Sequence, residues 1–264
     1  MHTEIDGHQV FIGTASRALD ADNKSVVFVH GAGMDHSIWV MPARHFARHE
    51  WNVVAPDLPG HGRSNGPALD SIDDMATWLT RLLDQLQIES AAIVGHSMGS
   101  LIALSFAVSQ PARVTHLALL GPSEPMPVAD QLLDAAKENS HDAIDMANTW
   151  SHSPRGRLGA NPNPGLWMYA GGERLLERAG DGVFYNDLRA CNGFEMADEQ
   201  LAEIRRPTLV ISGTGDLMTP ARRGAKLASH ISNTTLLTLQ GCGHAMLSER
   251  PNEVLDALHQ LLTE

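Results

Sequence analysis

The chain has 264 residues, 43% hydrophobic and 19% charged, with a formal net charge of −12. That length suits one large domain with room for an insertion, and the balance excludes disorder as the default state. The acidic charge and the absence of a Lys/Arg run argue against nucleic acid and anionic membrane surfaces as partners.

Two cysteines, Cys191 and Cys242, form neither a disulfide scaffold nor a metal-ligand framework; the sequence leaves open whether they pair. The opening residues Met-His-Thr-Glu-Ile-Asp-Gly lack a basic segment followed by an apolar run, so no secretory leader is expected. No apolar stretch approaches the ~20 residues of a membrane helix. A soluble cytoplasmic protein is the expectation, with self-association left open.

Ser25–His30 (SVVFVH) is a short β-branched run ending at glycine and reads as a buried strand. His36–His49 reads as a helix, Asn52–Pro56 as a strand, and DLPGHGRS (Asp57–Ser64) as a turn-rich link. Ser71–Ile88 has Ile72, Met75, Leu79, Leu82, Leu83 and Leu86 at helical spacing. Ser90–His96 is a strand, Met98–Ser109 an apolar helix and Val114–Leu120 a strand. The alternation predicts a parallel sheet covered by helices. It breaks over Ser123–Ile204, which holds Pro, Gly and Asn clusters, notably Asn161–Gly165 (NPNPG), and is expected to be a mainly helical insertion. The pattern resumes with strand Pro207–Gly213, a helix with Thr219 as N-cap and Pro220 as first residue, strand Thr234–Leu239 and helix Arg250–Leu262. No internal repeat is found.

Chemistry concentrates at three strand ends. Gly95-His96-Ser97-Met98-Gly99 joins a strand to a helix through a turn so sharp that its central residue is strained and its flanking positions need glycine. Such a turn holds the Ser97 hydroxyl out at the sheet edge, above a helix start rich in unpaired N–H groups. A serine needs a base. Of the 14 histidines, His244 in Gly241-Cys242-Gly243-His244 follows the last strand and is the candidate. His45 and His49 lie four apart on a helix but have no third metal ligand nearby in the sequence. His61 sits in a turn where it would satisfy backbone groups, and His230 and His259 fall within or at the end of helices. The base needs an acid to orient it. Asp216, in Gly213-Thr214-Gly215-Asp216, is preferred, with Glu124 as the rival. Donors for an oxyanion are expected from the N–H groups of Met98 and Ala32, with Gly33 as fallback, because His30-Gly31-Ala32-Gly33 is a small loop at a strand end.

Together HGAG, DLPGHGRS, GHSMG, GTGD and GCGH resemble, in order and over nearly the whole chain, the α/β-hydrolase fold superfamily. The resemblance implies a mostly parallel central sheet with helices on both faces. Residues 1–122 and 205–264 would form the core, and residues 123–204 a helical cap over the active site. It also implies that some of Trp150, Trp167, Tyr169, Met126, Met146 and Met168 line an apolar pocket. Serine rather than aspartate at the elbow excludes dehalogenases and epoxide hydrolases, and the absence of an HGGG-type loop points to the smaller capped esterases. The expected activity is that of a serine hydrolase. It would cleave small-molecule esters with Ser97, Asp216 and His244 and require no metal or organic cofactor. A lactonase, a carbon–carbon bond hydrolase, a thioesterase or amidase, and a cofactor-free haloperoxidase share these motifs. A non-catalytic ligand receptor on the same fold is the alternative from another class.

Overall fold

Ser25–Val29 is buried at all five positions, and so is Asn52–Pro56, a burial that requires cover on both faces of a strand. The computed structural model describes residues 1–160, 162 and 166–263. The strands are β1 (His2–Ile5), β2 (His8–Gly13), β3 (Ser25–Val29), β4 (Asn52–Pro56), β5 (Ala91–His96), β6 (Val114–Leu120), β7 (Thr208–Gly213) and β8 (Thr234–Leu239). They form one sheet in the order β1-β2-β4-β3-β5-β6-β7-β8. The hairpin β1–β2 and the pair β2–β4 are antiparallel, and all other pairs are parallel. The sequence reading starts the sheet at Ser25 and lacks the hairpin.

Around the sheet lie α1 (Val40–Arg48), α2 (Ile72–Gln85), α3 (Met98–Ser109), α4 (Asp130–Lys137), α5 (His141–Ser151), α6 (Pro154–Arg157), α7 (Met168–Leu176), α8 (Val183–Asn192), α9 (Asp198–Glu203), α10 (Ala221–His230), α11 (Met246–Glu249) and α12 (Pro251–Thr263). Alternate strand residues separate two cores. Val27 and Val29 pack with the buried faces of α2 and α3, while Val26 and Phe28 pack with Phe46 of α1 and Val254 and Leu258 of α12. The expected helix His36–His49 is a 3₁₀ turn, His36–Trp39, followed by α1. The expected last helix is preceded by the separate turn α11, because Pro251 has no N–H to continue α11 and instead starts α12.

Strand β3 lies between β4 and β5. The chain leaving β3 through α1 therefore turns one way, and the chain leaving β5 through α3 turns the other. Such a divergence opens a crevice at the carboxyl ends of the two strands. Helices α4–α9 lie between β6 and β7, with no strand among the described residues there. Their own core of Leu132, Ala136, Ala143, Ala147, Leu176 and Leu188 reaches down to Ala32, Met34 and Met218. The NPNPG stretch lies, except for Pro162, outside the described residues. No described helix is long and apolar enough to cross a membrane.

Candidate active site

The turn after β5 is as tight as its glycines suggest. Ser97 has φ 55° and ψ −119°, a left-handed conformation that costs a non-glycine residue about 1–3 kcal/mol. The surroundings hold it there. Its N–H donates to the Leu120 carbonyl at 2.9 Å, and its carbonyl accepts from Ser100 N–H at 2.8 Å. A Cβ on Gly95 would stand 2.0 Å from the Gly99 carbonyl oxygen, and one on Gly99 2.2 Å from the Val29 oxygen. Helix α3 packs that closely against β3 and β5. Ser97 is the N-cap of α3, yet its side chain makes no capping bond, and the residue lines a cavity of about 160 Å³.

His244 lines the same cavity. Its Nδ1 lies 2.7 Å from Asp216 Oδ2, and since a carboxylate only accepts, Nδ1 carries the proton and Nε2 the lone pair. Nε2 is buried without a hydrogen-bond partner among the described residues. Asp216 is itself saturated. Met218 and Thr219 N–H both donate to Oδ1 at 2.8 Å, and the Thr219 hydroxyl donates to Oδ2 at 2.8 Å. This occupies the Thr219 side chain, and Pro220, not Thr219, caps α10, contrary to the sequence expectation. Behind His244, His96 contacts the His244 carbonyl through Nε2 at 2.9 Å. Burial, with the neighbouring His244 second, pushes the His96 pKa down to about 3, so this ring is neutral. Gly121, at φ +59°, leaves room for the imidazole: a Cβ there would meet His244 Cε1 at 2.9 Å. Glu124, the rival acid, instead accepts the Met196 N–H at 2.8 Å.

The loop after β3 abuts the elbow; a Cβ on Gly31 would lie 3.2 Å from Ser97 Cβ. Gly33 N–H donates to Asp187 at 2.8 Å, which removes the fallback donor, while Ala32 lines the cavity. The DLPGHGRS stretch acts as scaffold. Asp57 accepts from His36 Nδ1 and from the N–H groups of His36 and Arg63. Burial opposes its charge, but these bonds hold its pKa below the usual carboxylate range.

The cavity wall is apolar and comes mainly from the helical insertion. Of the six residues anticipated there, Met126 and Trp150 line it. Met168 lines a second, larger cavity of about 580 Å³ that shares Met34, Ser151, Leu176 and His244 with the first. Met146 packs in the insertion's own core, Tyr169 bonds Thr149, and Trp167 is exposed. Phe184, Leu188 and Cys191 line the first cavity without having been anticipated. Cys191 and Cys242 are both free and buried. A third imidazole from a distant part of the chain does come near His45: His259 of α12 stands with its Nδ1 3.2 Å from His45 Nε2. The three rings are 4.3–6.0 Å apart between centroids and are not among the described side-chain clusters that converge as a metal ion would need.

The chain matches the alpha/beta hydrolase fold family over residues 24–251. It is 30% identical to a 2-hydroxy-6-oxononadienedioate/2-hydroxy-6-oxononatrienedioate hydrolase of Pseudomonas putida, over 84% of this chain and 81% of the relative. It is 30% identical to a non-heme chloroperoxidase of Streptomyces lividans, over 89% and 90%. Among solved structures, a thermophilic esterase superposes with a TM-score of 0.83 at 26% identity, covering 100% of this chain and 96% of that one.

Proposed function

The chain belongs to the alpha/beta hydrolase fold family, and on that premise we propose that it is a serine carboxylesterase acting on neutral small-molecule esters with a short apolar acyl group. The observation that carries this reading is the Asp216–His244 pair, which leaves His244 Nε2 without a hydrogen-bond partner among the described residues, on a side chain that lines the same cavity as Ser97. Ser97 Oγ attacks the ester carbonyl as His244 Nε2 takes its proton. The tetrahedral oxyanion is held by the N–H groups of Ala32 and Met98. Collapse returns the proton to the departing alcohol and leaves an acyl group on Ser97, which a water activated by His244 then removes.

The cavity supports this substrate class. None of its lining residues is an acid, a lysine or an arginine, so an acyl group with a carboxylate would be buried without a counter-charge. Its volume is close to the roughly 150 Å³ that encloses one benzene, which limits the acyl chain to about six carbons. The larger cavity beyond His244 suits the alcohol. It holds Arg174 and Arg178, but these are paired with Glu177 and Asp35. This disfavours the dicarboxylate chemistry in the name of the Pseudomonas relative.

The test is a fluorophosphonate probe with mapping of the labelled residue. A panel of p-nitrophenyl esters of increasing acyl length, lactones and vinylogous diketones is then run on wild type and Ser97→Ala. Labelling at Ser97 and a preference for butyrate over decanoate are expected. Turnover of diketones or lactones alone would replace the ester reading, and saturable binding without turnover would favour a receptor.

A further inference from the structure

The loop that carries Ala32 is fixed from both sides, chiefly by the buried His30 and Asp187, neither of which lines the cavity. On one side, Leu58 N–H donates to His30 Nε2 at 3.1 Å, so His30 Nδ1 carries the proton and donates to the Gly31 carbonyl at 2.9 Å. The Met34 N–H donates to the same carbonyl at 3.2 Å. A trans peptide points its C=O and its N–H in opposite directions. Fixing the Gly31 carbonyl therefore fixes the direction of the Ala32 N–H. On the other side, Asp187 Oδ2 holds the Gly33 N–H and with it the next peptide plane.

Asp187 comes from α8 of the insertion and is fully buried. The same oxygen also lies 2.8 Å from His61 Nε2, and His61 Nδ1 is 3.0 Å from the Pro59 carbonyl. Both ring nitrogens thus face acceptors, which only an imidazolium satisfies. Burial works against that charge, but the Asp187 charge and its hydrogen bond outweigh it, with Pro59 and Asp57 adding to the effect, and raise the His61 pKa. Removing one member of such a pair leaves the other charge buried and uncompensated.

We propose that Asp187 and His61 are positioning residues for the reaction, a clamp by which the insertion sets the Ala32 peptide to receive the oxyanion. The proposal rests on the hydrolase reading above. A group that only orients a donor should be felt when the oxyanion forms and not when substrate binds. The clamp therefore affects kcat and spares KM.

The experiment compares wild type, Asp187→Asn, Asp187→Ala, His61→Gln and Arg189→Ala on p-nitrophenyl butyrate, together with the rate of fluorophosphonate labelling at Ser97. The Asp187→Asn change keeps an acceptor for the Gly33 N–H and loses only the charge. Arg189, also on α8, makes an exposed contact with Asp70 of the core and controls for loosened docking of the insertion. Removal of a whole oxyanion donor costs about 10²–10³ in kcat, so misorienting one should cost less. Asp187→Ala is expected to lower kcat and labelling by roughly 30–100-fold. Asp187→Asn and His61→Gln should lower them by roughly 3–10-fold, with KM within threefold throughout and Arg189→Ala within twofold of wild type. If Asp187→Ala does not fold, the Asp187→Asn and His61→Gln variants carry the test. Wild-type kcat in those variants overturns the clamp, and so does an Arg189→Ala loss as large as theirs or a rise in KM at unchanged kcat. A wild type that neither labels nor turns over overturns the hydrolase reading, and the clamp with it.

Discussion

Four donors converge on the Asp216 carboxylate: two main-chain N–H groups, the Thr219 hydroxyl and His244 Nδ1. In the proposed mechanism this sets the tautomer and angle of the imidazole, so Asp216→Asn should reduce kcat by about 10⁴ with little change in KM, as in other triads. Thr219→Val removes one of the four and is expected to reduce kcat by roughly tenfold, the scale of a hydrogen bond to a charged group. Gly121→Ala tests the ring's position from behind. With a methyl crowding Cε1, kcat should fall by about 10²-fold, while circular dichroism stays unchanged; full activity would show that the ring need not be where it is. The turns that hold Ser97, Asp216 and His244 are legible because each is short and rich in glycine. A threonine before a proline has the pattern of a helix cap, and only the contact of Thr219 with Asp216 shows its other role. Asp187 was not legible at all. Its partner His61 is 126 residues away, and no local pattern marks an acid that pairs across such a distance.

At the scale of elements, the two-faced strands and the amphipathic helix α2 announced themselves by period. The hairpin β1–β2 did not, because β1 is short and mostly exposed. A signal was present: Asp6-Gly7, both at positive φ, is a favoured two-residue hairpin turn. The strand-free stretch between β6 and β7 shows in the sequence only by what it lacks, since its short helices have no strand partners to give them a strong pattern. This is why the sequence marks only part of the cavity wall. Helices α4, α5 and α8 supply Leu132, Ala147, Trp150, Phe184 and Leu188 to that wall, so its size is a property of the insertion. Trp150→Ala should enlarge the cavity and raise the octanoate-to-butyrate ratio of kcat/KM by about tenfold in p-nitrophenyl ester assays, the scale of one or two methylenes gaining an apolar contact. An unchanged ratio would remove Trp150 from the acyl pocket.

For the whole molecule, buried histidines set the pH range of stability. His30 and His96 are held as neutral rings, mainly by burial, with pKa values lowered to about 4 and about 3. In the unfolded chain an imidazole titrates at about 6.5. Between those values the unfolded state binds protons that the native state does not, so stability falls as pH drops below about 6.5. Each ring costs roughly 1.4 kcal/mol per pH unit over its window. His61 has the opposite sign. Its raised pKa gives stability that is complete below the unfolded value and is lost as pH rises through the folded one. The urea midpoint is therefore expected to be lower at pH 5 than at pH 7; equal midpoints would contradict the neutral burial of both rings. The insertion between β6 and β7 has one more implication. Closing a loop twice as long costs only about 0.6 kcal/mol more, so the length of what is spliced between Leu120 and Thr208 matters little; its contacts matter more, since Met126, Phe194, Met196 and Ile204 pack in the core with α2 and α3 and Asp187 meets the buried His61. A chimera carrying a foreign lid should therefore fold and turn over only if the graft refills that core and brings its own acid to His61 and the Gly33 amide, which makes that carboxylate a compatibility requirement for exchanging specificities on this scaffold.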